Sequence, residues 1–332
     1  MIPQPVHWRV MHHQTEEQQR LRRGSFFAGM SLLLILIAMV VMEFATFNLS
    51  NVLQEKWYTT GRFADYLWMS MVNWLVYCLA LGLPVVLLAL GTRSGINPFA
   101  RRRPAGFVGF WSVSLAGMAV CICASYIAFY FVRMISSFFP SSGLNFSPPE
   151  QPPVPPGVFG YITQLISTAL LPAFIEEMVF RGYILESLRP FGETRAVAAS
   201  AVLFSLLHGN LTQIPFSFIL GLLFAAITIK TGNIFIPIMI HFLNNGLSVT
   251  VDHFDLNWFH ISIIVSLIGG GLALVLYTIR HPVTERLSDC GSLLPGWRRN
   301  LMLFGSPMMI ISTILMVLLT LLYTFNNPTI QV

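Results

Sequence analysis

Long apolar runs are the feature of this 332-residue chain that most constrains its fold. A helix crosses the roughly 30 Å hydrocarbon core of a bilayer with about 20 apolar residues. The sequence predicts helices at 25–46, 66–90, 106–131, 158–180, 196–210, 214–230, 234–250, 258–280 and 301–324. Some of the helices between 196 and 250 are short. Stretches such as SLLLILIAMVVM lack the alternation of membrane β-strands. The sequence therefore predicts an all-α, polytopic transmembrane helical bundle of about eight or nine helices.

Composition excludes several other classes of protein. Hydrophobic residues make up 55% of the chain and charged residues 10%, whereas soluble domains carry about 25% charged residues. A disordered chain would need low hydrophobicity and high charge. The net charge of +5 does not indicate a nucleic-acid partner, because the basic residues are spread over predicted loop ends. We expect the lipid bilayer to be the partner of these residues.

The distribution of basic residues predicts the orientation in the membrane. The predicted cytoplasmic side carries among others Arg20, Arg22, Arg23, Arg101, Arg102, Arg103, Arg298 and Arg299, against Lys56, Arg62 and Arg133 outside. Positive charge is enriched on the cytoplasmic side of membrane proteins. The first 23 residues are polar, so we expect a cytoplasmic flank there and not a cleavable signal. We therefore expect a multi-pass protein with a cytoplasmic N-terminus, and the short loops suit a bacterial inner membrane.

A proline-rich stretch, SPPEQPPVPPG at 147–157, divides the chain. Proline at this density favours extended backbone and cannot continue a helix. We interpret the stretch as an external linker. Before it, residues 1–146 hold a cytoplasmic segment and three transmembrane helices; after it, 158–250 forms a core of four helices, and 251–332 adds two more.

Two adjacent carboxylates lie in the middle of the apolar sequence LLPAFIEEMVFRGYIL. Each charge at bilayer depth costs at least about 2.5–3.5 kcal/mol, so a functional site is the default interpretation of Glu176 and Glu177. Arg181 follows Glu177 by four residues and shares its helix face, where it can form an ion pair. Glu176 projects about 100° away and lacks that partner, as suits a general acid or base. The alternative is a salt bridge that joins two helices.

Two later helices carry further polar residues inside apolar runs. Phe204 and His208 are four residues apart, as are His241 and Asn245, so each pair lies on one helix face. Counted from the turn between the fourth and fifth helices, His208 lies at the same depth as Glu176. A lone intramembrane histidine is commonly a hydrogen-bonded core residue. Three helices with such residues instead favour one shared pocket.

Three motifs resemble those of a known family. EEMVFR at 176–181 fits Glu-Glu-x-x-x-Arg, FSLLH at 204–208 fits Phe-x-x-x-His, and HFLNN at 241–245 fits His-x-x-x-Asn. In this order on successive helices they resemble the CAAX prenyl protease and bacteriocin-processing family of intramembrane endopeptidases, also called the Abi family. The resemblance covers roughly residues 155–250.

The resemblance implies a catalytic core at 158–250 and a role for each matching residue. Glu176 and His208 would activate a water for attack on a peptide carbonyl, and His241 and Asn245 would stabilise the oxyanion. The implied supporting residues are Glu177, Arg181 and Phe204. The implied substrate is a membrane-associated or hydrophobic peptide or protein.

Some alternatives stay open at this point. Glu176, His208 and His241 would supply three ligands for zinc and leave a fourth position for water, although there is no His-Glu-x-x-His helix. The family is described both as metal-dependent and as glutamate-dependent, so no cofactor is certain and zinc is an alternative. The chain could also be a non-catalytic membrane scaffold or bacteriocin-immunity factor. A proton-coupled transporter with Glu176 and His208 as relay groups is a third possibility, but no second copy of the Glu-Glu helix is present.

Overall fold

The protein is helical throughout the part described by a computed structural model, which comprises residues 6–91, 106–138, 153–279, 287 and 292–325. The all-α fold class predicted from the sequence is confirmed. The helices of this part are α1 (Val6–Thr60), α2 (Phe63–Gly91), α3 (Phe107–Phe138), α4 (Val158–Phe191), α5 (Glu193–Leu207), α6 (Ile214–Thr231), α7 (Phe235–His253), α8 (Trp258–Ile279), α9 (Gly296–Phe304) and α10 (Pro307–Phe325).

The predicted number of membrane spans needs correction. Six described helices are long and apolar enough to cross a membrane, namely α2, α3, α4, α6, α10 and the part of α1 from His13 to Thr60. The prediction of eight or nine counted α5, which has only 15 residues. It also counted α7, in which His241, Asn244 and Asn245 interrupt the apolar sequence. The predicted helix at 258–280 is present as α8, an apolar helix of 22 residues from Trp258 to Ile279.

Parts of the predicted linker and of the basic loops lie outside the described residues. This applies to residues 147–152 of the linker and to residues 101–103. The described end of the linker contacts α1, because the indole Nε1 of Trp57 donates a hydrogen bond to the carbonyl of Pro153 at 3.1 Å. The linker then leads into α4 through Gly157, whose φ of 88° lies in the left-handed region.

Helix α4 occupies the centre of the bundle and contacts α1, α2, α5, α6 and α7. Its residues Phe180, Arg181 and Tyr183 are fully buried, as are Phe204 of α5 and Phe224 of α6. A charged side chain among such aromatic neighbours must find its partners within the protein. The centre of the bundle is therefore the place to look for a polar site.

Two helices contain turns with π-helical hydrogen bonding. One turn lies in α2 at Cys78–Gly82, and two lie in α4 at Ile166–Leu170 and Met178–Ile184. Such turns are rare and occur frequently at functional sites. One of them begins directly after Tyr77 and another directly after Glu177, so both helices change their winding beside a polar residue.

Candidate active site

A buried ion pair on α4 forms the base of the candidate site. Arg181 donates from Nη1 to Oε1 of Glu177 at 2.8 Å, and neither side chain is exposed. The guanidinium carbon lies 4.3 Å from the ring centre of Phe204 and 5.2 Å from that of Phe224. The aromatic rings add a cation–π contribution to the ion pair. The four-residue spacing predicted this contact, and the rings above it come from α5 and α6.

Close packing of α5 against α6 brings the aromatic side chains over the arginine. A Cβ atom on Gly221 would lie 2.9 Å from Cα of Ala201, so only glycine allows this approach. The carbonyl of Gly221 also accepts a hydrogen bond from Nη2 of Arg181 at 3.4 Å. Gly221 therefore contributes both a close helix contact and a backbone acceptor for the buried charge.

His241 connects α7 to both carboxylates of α4. Its Nδ1 lies 3.1 Å from Oε1 of Glu177. A carboxylate that is ionised beside Arg181 only accepts hydrogen bonds, so Nδ1 carries the hydrogen. The other ring nitrogen, Nε2, lies 4.0 Å from Oε2 of Glu176. Glu177 thus orients the imidazole so that Nε2 faces Glu176.

Glu176 differs from Glu177 in its partners. Its Oε1 accepts a hydrogen bond from the hydroxyl of Tyr77 at 2.6 Å. Its Oε2 is buried and makes no hydrogen bond within the described structure, and the side chain as a whole is 15% exposed. One oxygen of this carboxylate is therefore held in place while the other stays available.

Tyr77 is the site residue that the sequence motifs missed. It lies on α2, outside the segment that carries the motifs. A hydroxyl within the apolar run at 66–90 was the available signal. The sequence does not indicate the partner of this hydroxyl, because its contact with Glu176 joins residues that are 99 positions apart and depends on how α2 packs against α4.

His208 reaches the site less directly than the other predicted residues. Its Nδ1 lies 2.9 Å from the carbonyl of Phe204, and because a carbonyl only accepts, a neutral His208 keeps its lone pair on Nε2. The described structure has no hydrogen bond or ion pair between His208 and Glu176. The ring of Phe204 lies 5.0 Å from that of Phe180. One turn beyond Phe204, His208 therefore comes to the level of the α4 turn that begins with Glu176.

Asn245 contacts α4 two turns away from the carboxylates. Its Nδ2 donates to the carbonyl of Thr168 at 3.1 Å, and its Oδ1 accepts from Nδ2 of Asn244 at 3.1 Å. Thr168 precedes Glu176 by eight residues, which is about 12 Å along the helix. The amide therefore holds the π-helical turn of α4 in this structure. Its role toward an oxyanion stays a prediction and requires the amide to leave Thr168.

The arrangement does not fit the zinc alternative. Within the described part of the chain, no three side chains of His, Cys, Asp or Glu form a group that could hold a metal ion. Glu176, His208 and His241, which are all described, therefore do not form such a group.

The helices and the buried cluster define an integral multi-pass membrane protein with a polar site inside its bundle. A family model described as type II CAAX prenyl endopeptidase, Rce1-like, matches residues 158–247. The match confirms the family resemblance predicted from the three motifs. Neither the comparison with curated proteins nor that with solved structures found a match.

Proposed function

We propose that this protein is an intramembrane endopeptidase that hydrolyses a peptide bond in a membrane-associated or hydrophobic peptide or protein. One observation carries the proposal: Oε2 of Glu176 is buried without a hydrogen bond and faces Nε2 of His241 across 4.0 Å. Both residues belong to the segment that matches the endopeptidase family. A carboxylate oxygen and an imidazole nitrogen at this spacing can both reach one reacting oxygen atom.

Water activation is assigned to Glu176, assisted by His208. The hydroxyl of Tyr77 occupies Oε1 of Glu176, so Oε2 is the atom that takes the proton of water. The resulting hydroxide attacks the peptide carbonyl, the C–N bond breaks, and Glu176 returns the proton to the leaving amine. His208 approaches from the end of α5 with its lone pair on Nε2, and would hold the attacking water.

Stabilisation of the oxyanion is assigned to His241 and Asn245. His241 donates from Nε2 only when both ring nitrogens carry hydrogen, because Nδ1 already donates to Glu177. Glu177 therefore positions the imidazole, and Arg181 compensates the charge of Glu177. A positioned donor toward a developing negative charge commonly contributes about 10²–10³ in rate.

The membrane arrangement is part of the same proposal. We place the N-terminus and the arginines at its end of the bundle on the cytoplasmic side of a bacterial inner membrane. The core at 158–250 would perform the chemistry, and the helices within 1–146 and 251–332 would surround it. The hydrogen bond from Tyr77 of α2 to Glu176 supports a contribution of the surrounding helices to the site.

The proposal is tested by peptidomics of membrane fractions. Cells would express the wild type, Glu176→Gln or Glu186→Gln at equal levels. Glu186 is a matched control on the same helix. It pairs with Arg189, with 3.2 Å between Oε1 and Nη1, and does not contact Glu176 or His241. We expect at least one fragment that is present in the wild type and in the control and missing with Glu176→Gln. Identical fragments in all three strains would contradict the enzyme and favour the scaffold.

A further inference from the structure

A cavity of about 800 Å³ opens between α1, α9 and α10, and its lining residues are not those of the candidate active site. Its wall is partly basic, with Arg22 and Arg23, and partly apolar, with Phe26, Leu301 and Ile310. We propose that this cavity binds an anionic phospholipid, with the phosphate at the two arginines and an acyl chain along the apolar wall. The proposal does not depend on the protease activity.

The position of the cavity along the helices places it at a membrane boundary. In α1 the polar sequence RLRRG at 20–24 is followed by a long apolar run. The apolar helix α10 begins at Pro307, which also lines the cavity. Both helices therefore pass from polar to apolar sequence at the level of the cavity. Lipid headgroups and their phosphates lie at this level of a bilayer.

Helix α9 has the character of a helix that lies in the membrane interface. Its Trp297 is 64% and its Leu301 67% exposed, whereas Arg299 and Leu303 are buried. Arg298 lies over the ring of Trp297 at 5.4 Å. An amphipathic helix with exposed aromatic and aliphatic residues lies along the headgroup boundary. It would close the cavity on the side of the lipid surface.

The two arginines are available for an anion. Arg22 and Arg23 are both exposed, and within the described part of the chain neither forms an ion pair or hydrogen bond. Two guanidinium groups on adjacent residues offer several donors to phosphate oxygens. The arginines lie beside the apolar wall of the cavity. A ligand that matches both the arginines and the apolar wall carries a phosphate and a hydrocarbon chain. Basic pockets between membrane helices bind anionic lipids in this way.

The walls of the cavity are held by tight contacts. A Cβ atom on Gly29 would lie 2.2 Å from the backbone nitrogen of Met309, so α1 and α10 touch backbone to backbone. The hydroxyl of Ser25 donates to the carbonyl of Leu303 at 2.7 Å and joins α1 to α9. The three helices therefore present a preformed site, and binding does not have to order them.

The site is tested with full-length protein by native mass spectrometry in detergent, titrated with phosphatidylglycerol or phosphatidylcholine. We expect phosphatidylglycerol to bind more tightly than phosphatidylcholine. The variant Arg22→Gln/Arg23→Gln should weaken phosphatidylglycerol binding roughly thirtyfold, since each arginine near an anionic lipid surface contributes about fivefold. The matched control, Arg62→Gln/Arg133→Gln, removes two exposed arginines elsewhere and should bind as the wild type does. Equal binding by both double variants would overturn the proposal.

Two further arms test the chemistry of the ligand. Ile310→Trp fills the apolar wall and leaves both arginines, so it should weaken phosphatidylglycerol binding while the fold stays intact. Unchanged binding would contradict the placement of the acyl chain. Millimolar inorganic phosphate should not displace the lipid. Complete displacement, or equal affinity for phosphatidylcholine, would show that the cavity does not select an anionic lipid.

Discussion

Tyr77 donates its hydroxyl hydrogen to Oε1 of Glu176 across 2.6 Å, and this bond joins α2 to the carboxylate of α4. It leaves Oε2 of Glu176 to face His241. The hydroxyl therefore determines which carboxylate oxygen, in the proposed mechanism, takes the proton of water. Tyr77 lies outside the segment that matches the endopeptidase family, so the site includes a helix that the match does not cover.

Tyr77→Phe should lower kcat and leave KM nearly unchanged. The variant removes one hydrogen bond to a charged group, typically worth about 1.5–3 kcal/mol, which corresponds to roughly 10- to 100-fold in rate if the bond is needed throughout catalysis. Initial rates on a fragment-releasing substrate measure the effect. Tyr126→Phe is the control, because among the described residues the hydroxyl of Tyr126 pairs with that of Ser262, between α3 and α8 and outside the site. Equal kcat for wild type and Tyr77→Phe would contradict the positioning role.

Arg181→Met should destabilise the fold strongly. Removal of one partner of a buried ion pair costs about 3–5 kcal/mol, because Glu177 keeps an uncompensated buried charge. Thermal unfolding in detergent should show a large loss, and Glu177→Gln/Arg181→Met should recover part of it. Arg189→Met removes two partly exposed ion pairs, to Glu186 at 3.2 Å and to Glu193 at 3.3 Å, and each should contribute less than about 1 kcal/mol to stability. Equal losses for the two single variants would contradict the buried pair.

Asn245→Ala should reduce both activity and stability. The predicted oxyanion role implies a loss of about 10²–10³ in rate, and the bond to Thr168 adds a contribution to the fold. Rates and unfolding temperatures should be measured together. Asn244→Ala keeps the bond between Asn245 and Thr168 and is the matched control. A stability loss with normal kcat would show that Asn245 only holds the helices together.

Chelation should leave activity unchanged. Within the described residues no group of three metal-ligating side chains is close enough to hold an ion. Purified protein treated with a strong zinc chelator, then assayed beside an untreated sample, tests this expectation together with elemental analysis. Loss of activity that returns on addition of zinc would mean that the side chains rearrange to form a metal site.

Much of the fold could be predicted because single helices reflect local sequence. The apolar runs located the helices, and the spacing of Glu177 and Arg181 predicted a contact that occurs at 2.8 Å. The predicted number of spans exceeds the six found among the described residues, because the short helix α5 and the partly polar helix α7 were counted as spans.

Features that depend on packing between helices were beyond the sequence. The π-helical turn after Glu177 changes the local winding, and no residue type signals it. The contact of Tyr77 with Glu176 depends on how α2 rotates against α4. Likewise, a pocket shared by His241 and the glutamates was predicted, whereas the contact of both ring nitrogens of His241 with the two glutamates was not.

The most direct test of the account is hydrolysis in ¹⁸O-labelled water by purified protein in liposomes. The substrate would be the precursor of a fragment identified by peptidomics. The wild type and Glu186→Gln should place one ¹⁸O in the new carboxyl group, and Glu176→Gln should lower the rate by about 10²–10⁴ or more. Cleavage by Glu176→Gln at the wild-type rate would contradict the assignment of Glu176 as the group that activates water.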